Sequence, residues 1–131
     1  NGGWGTSLMT MDRSGNVTFA GNVTAYSDER LKTEIKTIEN PLDTISKLRG
    51  VTFKWKESGD DSMGVIAQEV EAIAETKCLV SETPEDGNGD INPKNVAYGN
   101  MVGLLIEGMK EQQTVINRLV QDIKDLKDKI K

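Results

Sequence analysis

The chain has 131 residues, of which 36% are hydrophobic, 28% charged and 5% aromatic, with a net charge of −5. It contains no histidine and one cysteine, Cys78, which excludes Ser-His-Asp and Cys-His catalysis, HExxH metal sites, internal disulfides and zinc clusters. No apolar run approaches the roughly 18 residues of a membrane helix, no signal peptide opens the sequence, and the acidic balance disfavours phosphate-rich partners. The reading is one soluble domain with no metal or cofactor, no nucleic acid and no membrane among its partners.

Residues 1–26 are nearly uncharged, with only Asp12 and Arg13 carrying charge, and are punctuated by Gly2, Gly3, Gly5, Gly15 and Gly21. The tetrapeptide Gly15-Asn16-Val17-Thr18 recurs as Gly21-Asn22-Val23-Thr24. Gly-Asn turns followed by short Val/Thr/Phe runs predict brief β-strands. Val17, Phe19 and Val23 are too few to fold alone. The segment therefore reads as the end of a longer β-rich repeat, of the kind in which several chains share a core. Asn16 and Asn22 head N-x-Thr sequons and are read as turn residues.

The character changes after Tyr26. Ser27-Asp28-Glu29-Arg30-Leu31-Lys32 opens a charged stretch with Leu31, Ile35 and Ile38 at helical spacing. Asn40-Pro41 predicts a second helix start, with Asn40 as N-cap, a stripe of Leu42, Ile45 and Leu48, and Gly50 as the stop. Val51, Phe53 and Trp55 alternate as a half-buried strand. A turn at Gly59-Asp60-Asp61-Ser62 leads to a return strand over residues 63–67. Gln68 to Glu75 predicts a short helix buried through Val70, Ile73 and Ala74, and Leu79-Val80 a further strand before a polar loop from Thr83 to Asp90. The fold class is α+β: residues 1–26 a β-rich stub, 27–98 a small helix/hairpin module, 99–131 a long helix. A module of this size is marginal alone.

The last segment is the most periodic. With Val102 at heptad position a, Met109, Ile116, Ile123 and Ile130 follow at a, and Leu105, Gln112, Leu119 and Leu126 stand at d. Eight of these nine positions are apolar, which predicts a coiled coil. Ile at a with Leu at d favours two strands. Ile106, Val115 and Val120 widen the stripe at e and g, which fits a higher oligomer or packing against the module. Asp122 and Lys127 are placed to pair between chains, and Gln112 to set register. Self-association is expected.

Several clusters read as ordinary structure. Cys78, with no base beside it, reads as a small buried hydrophobe. Asp86, Asn88 and Asp90 imitate a calcium loop, but Ile91 replaces its glycine and Ala97 its bidentate glutamate. Glu69 and Glu71 read as a solvated helix face. Ser27 and Lys32 have a chemical alternative. A serine becomes nucleophilic when a base removes its proton, and a desolvated lysine can do this without histidine. Five residues apart, the two cannot share a helix face. Ser27 must precede the helix, with Lys32 folding back or reaching a neighbouring chain. The plain alternative is that Ser27 caps the helix and Lys32 is solvated.

The run Ser27–Lys32 resembles the SDxRLK motif that opens the intramolecular chaperone domain of bacteriophage tail fibres, tailspikes and neck appendages, an S74-type self-cleaving peptidase. Three further blocks resemble the same family in order: Leu48-Arg49-Gly50-Val51-Thr52-Phe53-Lys54-Trp55, Gly64-Val65-Ile66-Ala67-Gln68-Glu69-Val70, and Val96-Ala97-Tyr98 leading into residues 104–113. Gly108-Met109 departs from the more usual Ala-Ile.

The resemblance implies a homotrimer that aligns three chains so that the upstream β-structure of the same chain can fold. It also implies autoproteolysis at Tyr26–Ser27, with Ser27 as nucleophile and Lys32 as general base. Asp28 and Arg30 are then candidates for oxyanion-binding or positioning roles. Such a protein is made in the host cytoplasm, and its parent resides in the virion tail or appendage after the chaperone fragment leaves. Two alternatives stay open from the residues themselves: a trimerisation domain that does not cut, and a host-binding fibre tip that uses the Thr83–Asp90 loop.

Overall fold

The computed structural model describes residues 8–13, 15–83 and 92–131. Gly2, Gly3 and Gly5 therefore lie outside the described residues, as do the calcium-loop imitation at Asp86, Asn88, Asp90 and Ile91 and nearly all of the proposed host-contact loop. The chain divides into two compact units, Asn1–Ile35 and Lys36–Lys131.

In the first unit β1 (Met9–Met11) pairs antiparallel with β2 (Val17–Phe19), in the register Met9↔Phe19, Thr10↔Thr18 and Met11↔Val17. Directly opposed residues share a face. One face is therefore wholly apolar (Met9, Met11, Val17, Phe19) and the other carries Thr10 and Thr18; all six are exposed in the single chain. Asp12 builds the turn: its carboxylate accepts the Asn16 backbone N–H at 2.9 Å and the Asn16 side-chain N–H at 2.8 Å. Gly15 takes φ +82°, which a side chain would resist. The Gly15-Asn16 turn was legible in the sequence and β1 was not. The repeat at Gly21-Asn22 is followed by no strand.

The helix expected from Ser27 onward shrinks to one 3₁₀ turn, Glu29–Leu31. Lys32 is already extended (φ −125°, ψ 152°) and Glu34 is left-handed (φ 52°), so the spacing of Leu31, Ile35 and Ile38 follows no helix. Leu31 and Ile35 remain well exposed. Three apolar residues with β-branched Thr33 and Thr37 between them provide neither propensity nor a packed face.

The second unit begins with α1 (Pro41–Lys47). Asn40 and Pro41 occupy the expected N-cap and first positions, but Asn40 sits at φ 48°, ψ 47° and its side chain makes no cap hydrogen bond. The helix ends before Gly50, with Leu48 as extended C-cap. β3 (Val51–Lys54) pairs with β4 (Asp61–Gly64) in the register Val51↔Gly64 and Phe53↔Ser62. The return strand thus begins two residues earlier than expected, with Ser62 and Gly64 half-buried and Met63 78% exposed. Trp55 lies past the strand end, also exposed, with its ring edge-on to Phe53 at 5.2 Å.

α2 (Ala67–Ala72) buries Val70 almost completely, with Ile73 half-buried and Ala74 exposed. Thr76 closes its end, donating its buried hydroxyl to the Val70 carbonyl at 2.8 Å. β5 (Val80–Glu82) pairs with β6 (Lys94–Val96), adding the strand expected near Leu79-Val80. Cys78 is exposed rather than buried, because it falls in a 3₁₀ turn, Lys77–Leu79, ahead of β5.

α3 runs from Met101 to Ile130. Leu104 and Gly108 are its buried positions and face α1. The Ile45 methyl occupies the space that a Cβ at position 108 would need, and Leu42 lies beside it. From Lys110 onward every residue of the helix is exposed. The core is correspondingly thin: among the described residues Val70 and Leu104 are its buried aliphatic side chains, joined by Pro41, Thr44 and Thr76.

Candidate active site at the boundary turn

Ser27 and Lys32 stand at the two ends of the 3₁₀ turn and are brought together within one chain. Lys32 Nζ lies 2.9 Å from Ser27 Oγ and also donates to the Ser27 carbonyl at 3.2 Å. The turn is closed by Leu31 N–H to the Asp28 carbonyl at 3.1 Å and Lys32 N–H to the Glu29 carbonyl at 3.0 Å. Its cap is Asp28, whose Oδ1 accepts the Arg30 backbone N–H at 2.9 Å. Ser27 is therefore not the capping residue, and its hydroxyl is turned to Lys32.

Arg30 is engaged by the same carboxylate. Its Nε donates to Oδ1 at 3.0 Å and to Oδ2 at 3.1 Å, and its Nη2 to Oδ2 at 2.6 Å. These side-chain hydrogen bonds, with the backbone one, hold the Asp28 carboxyl below its ordinary value and raise the Arg30 guanidinium. Tyr26, on the other side of the Tyr26–Ser27 bond, is 95% exposed. Ser27 and Lys32 are exposed as well, so neither is desolvated within the single chain.

The remaining motif blocks hold one another in place. Arg49 forks onto Glu69 through Nε and Nη2, tying the block at 48–55 to the block at 64–70. Tyr98 Oη accepts the Val65 N–H at 3.4 Å and lies where a Cβ on Gly64 would project. Glu69 and Glu71 are not an acid/base pair, nor simply solvated: Glu69 serves Arg49, and Glu71 shares Lys94 with Glu82. Arg49, Glu69 and Tyr98 stand in the motif blocks, but their partners are 20 to 33 residues away, beyond the reach of local spacing. Among the described residues no cluster of His, Cys, Asp or Glu could hold a metal ion, and no helix is long and apolar enough to cross a membrane.

Residues 27–79 match the model of the Peptidase_S74 family, described as Chaperone of endosialidase. Over this segment the chain is similar to that family. The match starts at Ser27, just ahead of the 3₁₀ turn, and the S74-type intramolecular-chaperone resemblance read from the motif blocks is shown over it. The block at Val96–Tyr98 and α3 lie beyond the matched residues. Across 99% of its length the chain is 30% identical to the Long tail fiber protein Gp37 of Salmonella phage S16, of which it covers 20%. Across 76% it is 33% identical to proteins of the same name from Enterobacteria phages K3 and T2, covering 8% of each. The chain thus spans a fifth or less of the length of these relatives.

Proposed function

We propose that this chain is part of a phage tail-fibre protein and acts as its intramolecular chaperone. Three copies associate through α3, align the β-structure that precedes Ser27, and are then released by autoproteolysis at Tyr26–Ser27. The single observation that carries the cleavage reading is the 2.9 Å contact between Lys32 Nζ and Ser27 Oγ, beside the bond to be cut.

The chemistry balances without a cofactor. A neutral Lys32 takes the Ser27 hydroxyl proton as Oγ attacks the Tyr26 carbonyl carbon. The tetrahedral adduct collapses as Lys32 returns the proton to the Ser27 nitrogen, which moves the acyl group from nitrogen to oxygen. Water then adds to the ester, leaving a carboxylate on Tyr26 and a free hydroxyl on Ser27, with the released proton taken up by the new Ser27 amino group. Direct attack by water on the same carbonyl, with Lys32 as base, leads to the same products.

Assembly supports the rest of the reading. α1 docks on α3 at positions 104 and 108, which leaves the a and d residues from Val102 to Ile130 uncovered. A thin core in the single chain is what further copies would complete. Neighbouring chains would also bury Ser27 and Lys32, tying cleavage to correct assembly. Joining the chains at their C-termini makes the slow, non-local search for a shared β-structure intramolecular. Losing the chaperone afterwards removes the easy reverse route, so the fibre becomes kinetically stable. The fibre would then be made in the host cytoplasm and reside in the virion tail, with the chaperone fragment set free.

Denaturing mass spectrometry over days, on the wild type beside Ser27→Ala, Lys32→Arg and Leu119→Asp, tests this reading. The expected result is a fragment beginning at Ser27 in the wild type alone. Arginine keeps the charge but cannot act as a base at neutral pH, and Leu119→Asp prevents association. If wild type and Ser27→Ala both remain full-length trimers, the chaperone reading survives and the peptidase reading fails. Cleavage by a monomeric Leu119→Asp protein would break the link between assembly and chemistry.

A further inference from the structure

We infer that Asp28 is a positioning residue, which sets the Ser27–Lys32 contact by capping and clamping the one-turn helix between them. The inference rests on the proposed cleavage only for its catalytic consequence. An extended chain separates residues five apart by roughly 17 Å, so a turn is required to bring the lysine back over the serine. Propensity does not provide that turn. A single 3₁₀ turn has too few hydrogen bonds to offset the ordering of its backbone, and no residue of Glu29–Leu31 is buried.

The turn instead has Asp28. Its Oδ1 takes the Arg30 backbone N–H, and both oxygens grip the Arg30 guanidinium. One side chain thereby holds the start of the turn through the backbone and its middle through the side chain. Lys32 follows as the C-cap, and from there Nζ reaches both oxygens of Ser27. Two consequences follow. The Ser27 hydroxyl is excused from capping and stays available to Lys32. Arg30, with Nε and Nη2 engaged by Asp28, steadies the turn.

The test uses the full chain as Asp28→Asn, Asp28→Ala and wild type, with three readouts: cleavage rate by mass spectrometry, melting temperature, and nuclear Overhauser contacts between Ser27 Hβ and Lys32 Hε. Asn caps as well as Asp, so Asp28→Asn should keep the contacts and a rate within about threefold. Asp28→Ala should lose the contacts and at least tenfold in rate, with its melting temperature nearly unchanged because the turn buries nothing. Wild-type contacts in Asp28→Ala would overturn the inference. So would an Asp28→Asn protein that keeps the contacts yet cleaves as slowly as Asp28→Ala, since the carboxylate would then act chemically. A wild type that never cleaves would sink the peptidase reading alone, and the Overhauser contacts would still decide the positioning role.

Discussion

The Leu42 backbone N–H donates to Glu111 Oε2 at 3.1 Å, so α1 is capped by a side chain of α3, 69 residues along the chain. Asn40, the residue the sequence nominates for that duty, is left-handed and makes no side-chain cap. The same α1–α3 contact places Ile45 against Gly108, so cap and packing lock one helix to the other. Any process that moves α3 is thereby transmitted to the N-terminus of α1.

Glu111→Ala should lower the stability of the second unit by about 1 kcal/mol, the usual worth of an N-cap. Glu111→Gln should lose less, because its carbonyl oxygen still accepts the Leu42 N–H. Urea midpoints of the three proteins, followed by far-ultraviolet circular dichroism, check this. Equal losses in both variants would mean that charge, not the cap, is what Glu111 contributes.

Gly64 and Tyr98 should behave as a coupled pair. A Cβ at position 64 would lie 2.7 Å from Tyr98 Oη, so Gly64→Ala must displace the ring and its bond to Val65. A cost of roughly 1–3 kcal/mol is expected, as for other overpacked sites. Tyr98→Phe removes the offending oxygen, so the double variant should be more stable than the sum of the single losses implies. Strict additivity in thermal unfolding would show that the two residues do not meet in solution.

Acid should weaken the link between the motif blocks. The hydrogen bond from Arg49 holds the Glu69 carboxyl below its ordinary value of 4.5. A carboxyl lowered in the folded state contributes stability that is complete above the unfolded value and is lost as pH falls through the lower folded one. The stability gap between wild type and Glu69→Gln should therefore be open at pH 7 and close well below pH 4.5. The pair is largely exposed, so added salt should narrow the gap at pH 7 as well. A gap independent of pH would show that Glu69 acts through packing rather than charge.

Much of the chain was legible from local pattern. The long helix, the β3–β4 hairpin, the helix start at Asn40-Pro41 and the Gly15 turn all follow from periodicity and turn chemistry, which act between near neighbours. The family resemblance was legible too, because three of the motif blocks, from Ser27 to Val70, lie within the matched residues 27–79. The stretch after Tyr26 misled, because a few apolar residues at helical spacing do not make a helix when Leu31 and Ile35 are left exposed. The bounds of the return strand misled as well: β4 is Asp61–Gly64, two residues earlier at its start than the pattern predicts.

By itself, then, the sequence determined which residues stand next to the Tyr26–Ser27 bond, where charge begins, and which face of α3 is apolar. Only the tertiary structure decided that Asp28 rather than Ser27 caps the turn, that Lys32 returns to Ser27 within its own chain, and that Glu111 caps α1. These depend on backbone dihedrals at single residues and on partners brought together across loops. No local spacing rule encodes either, because each is set by the sum of the contacts around it.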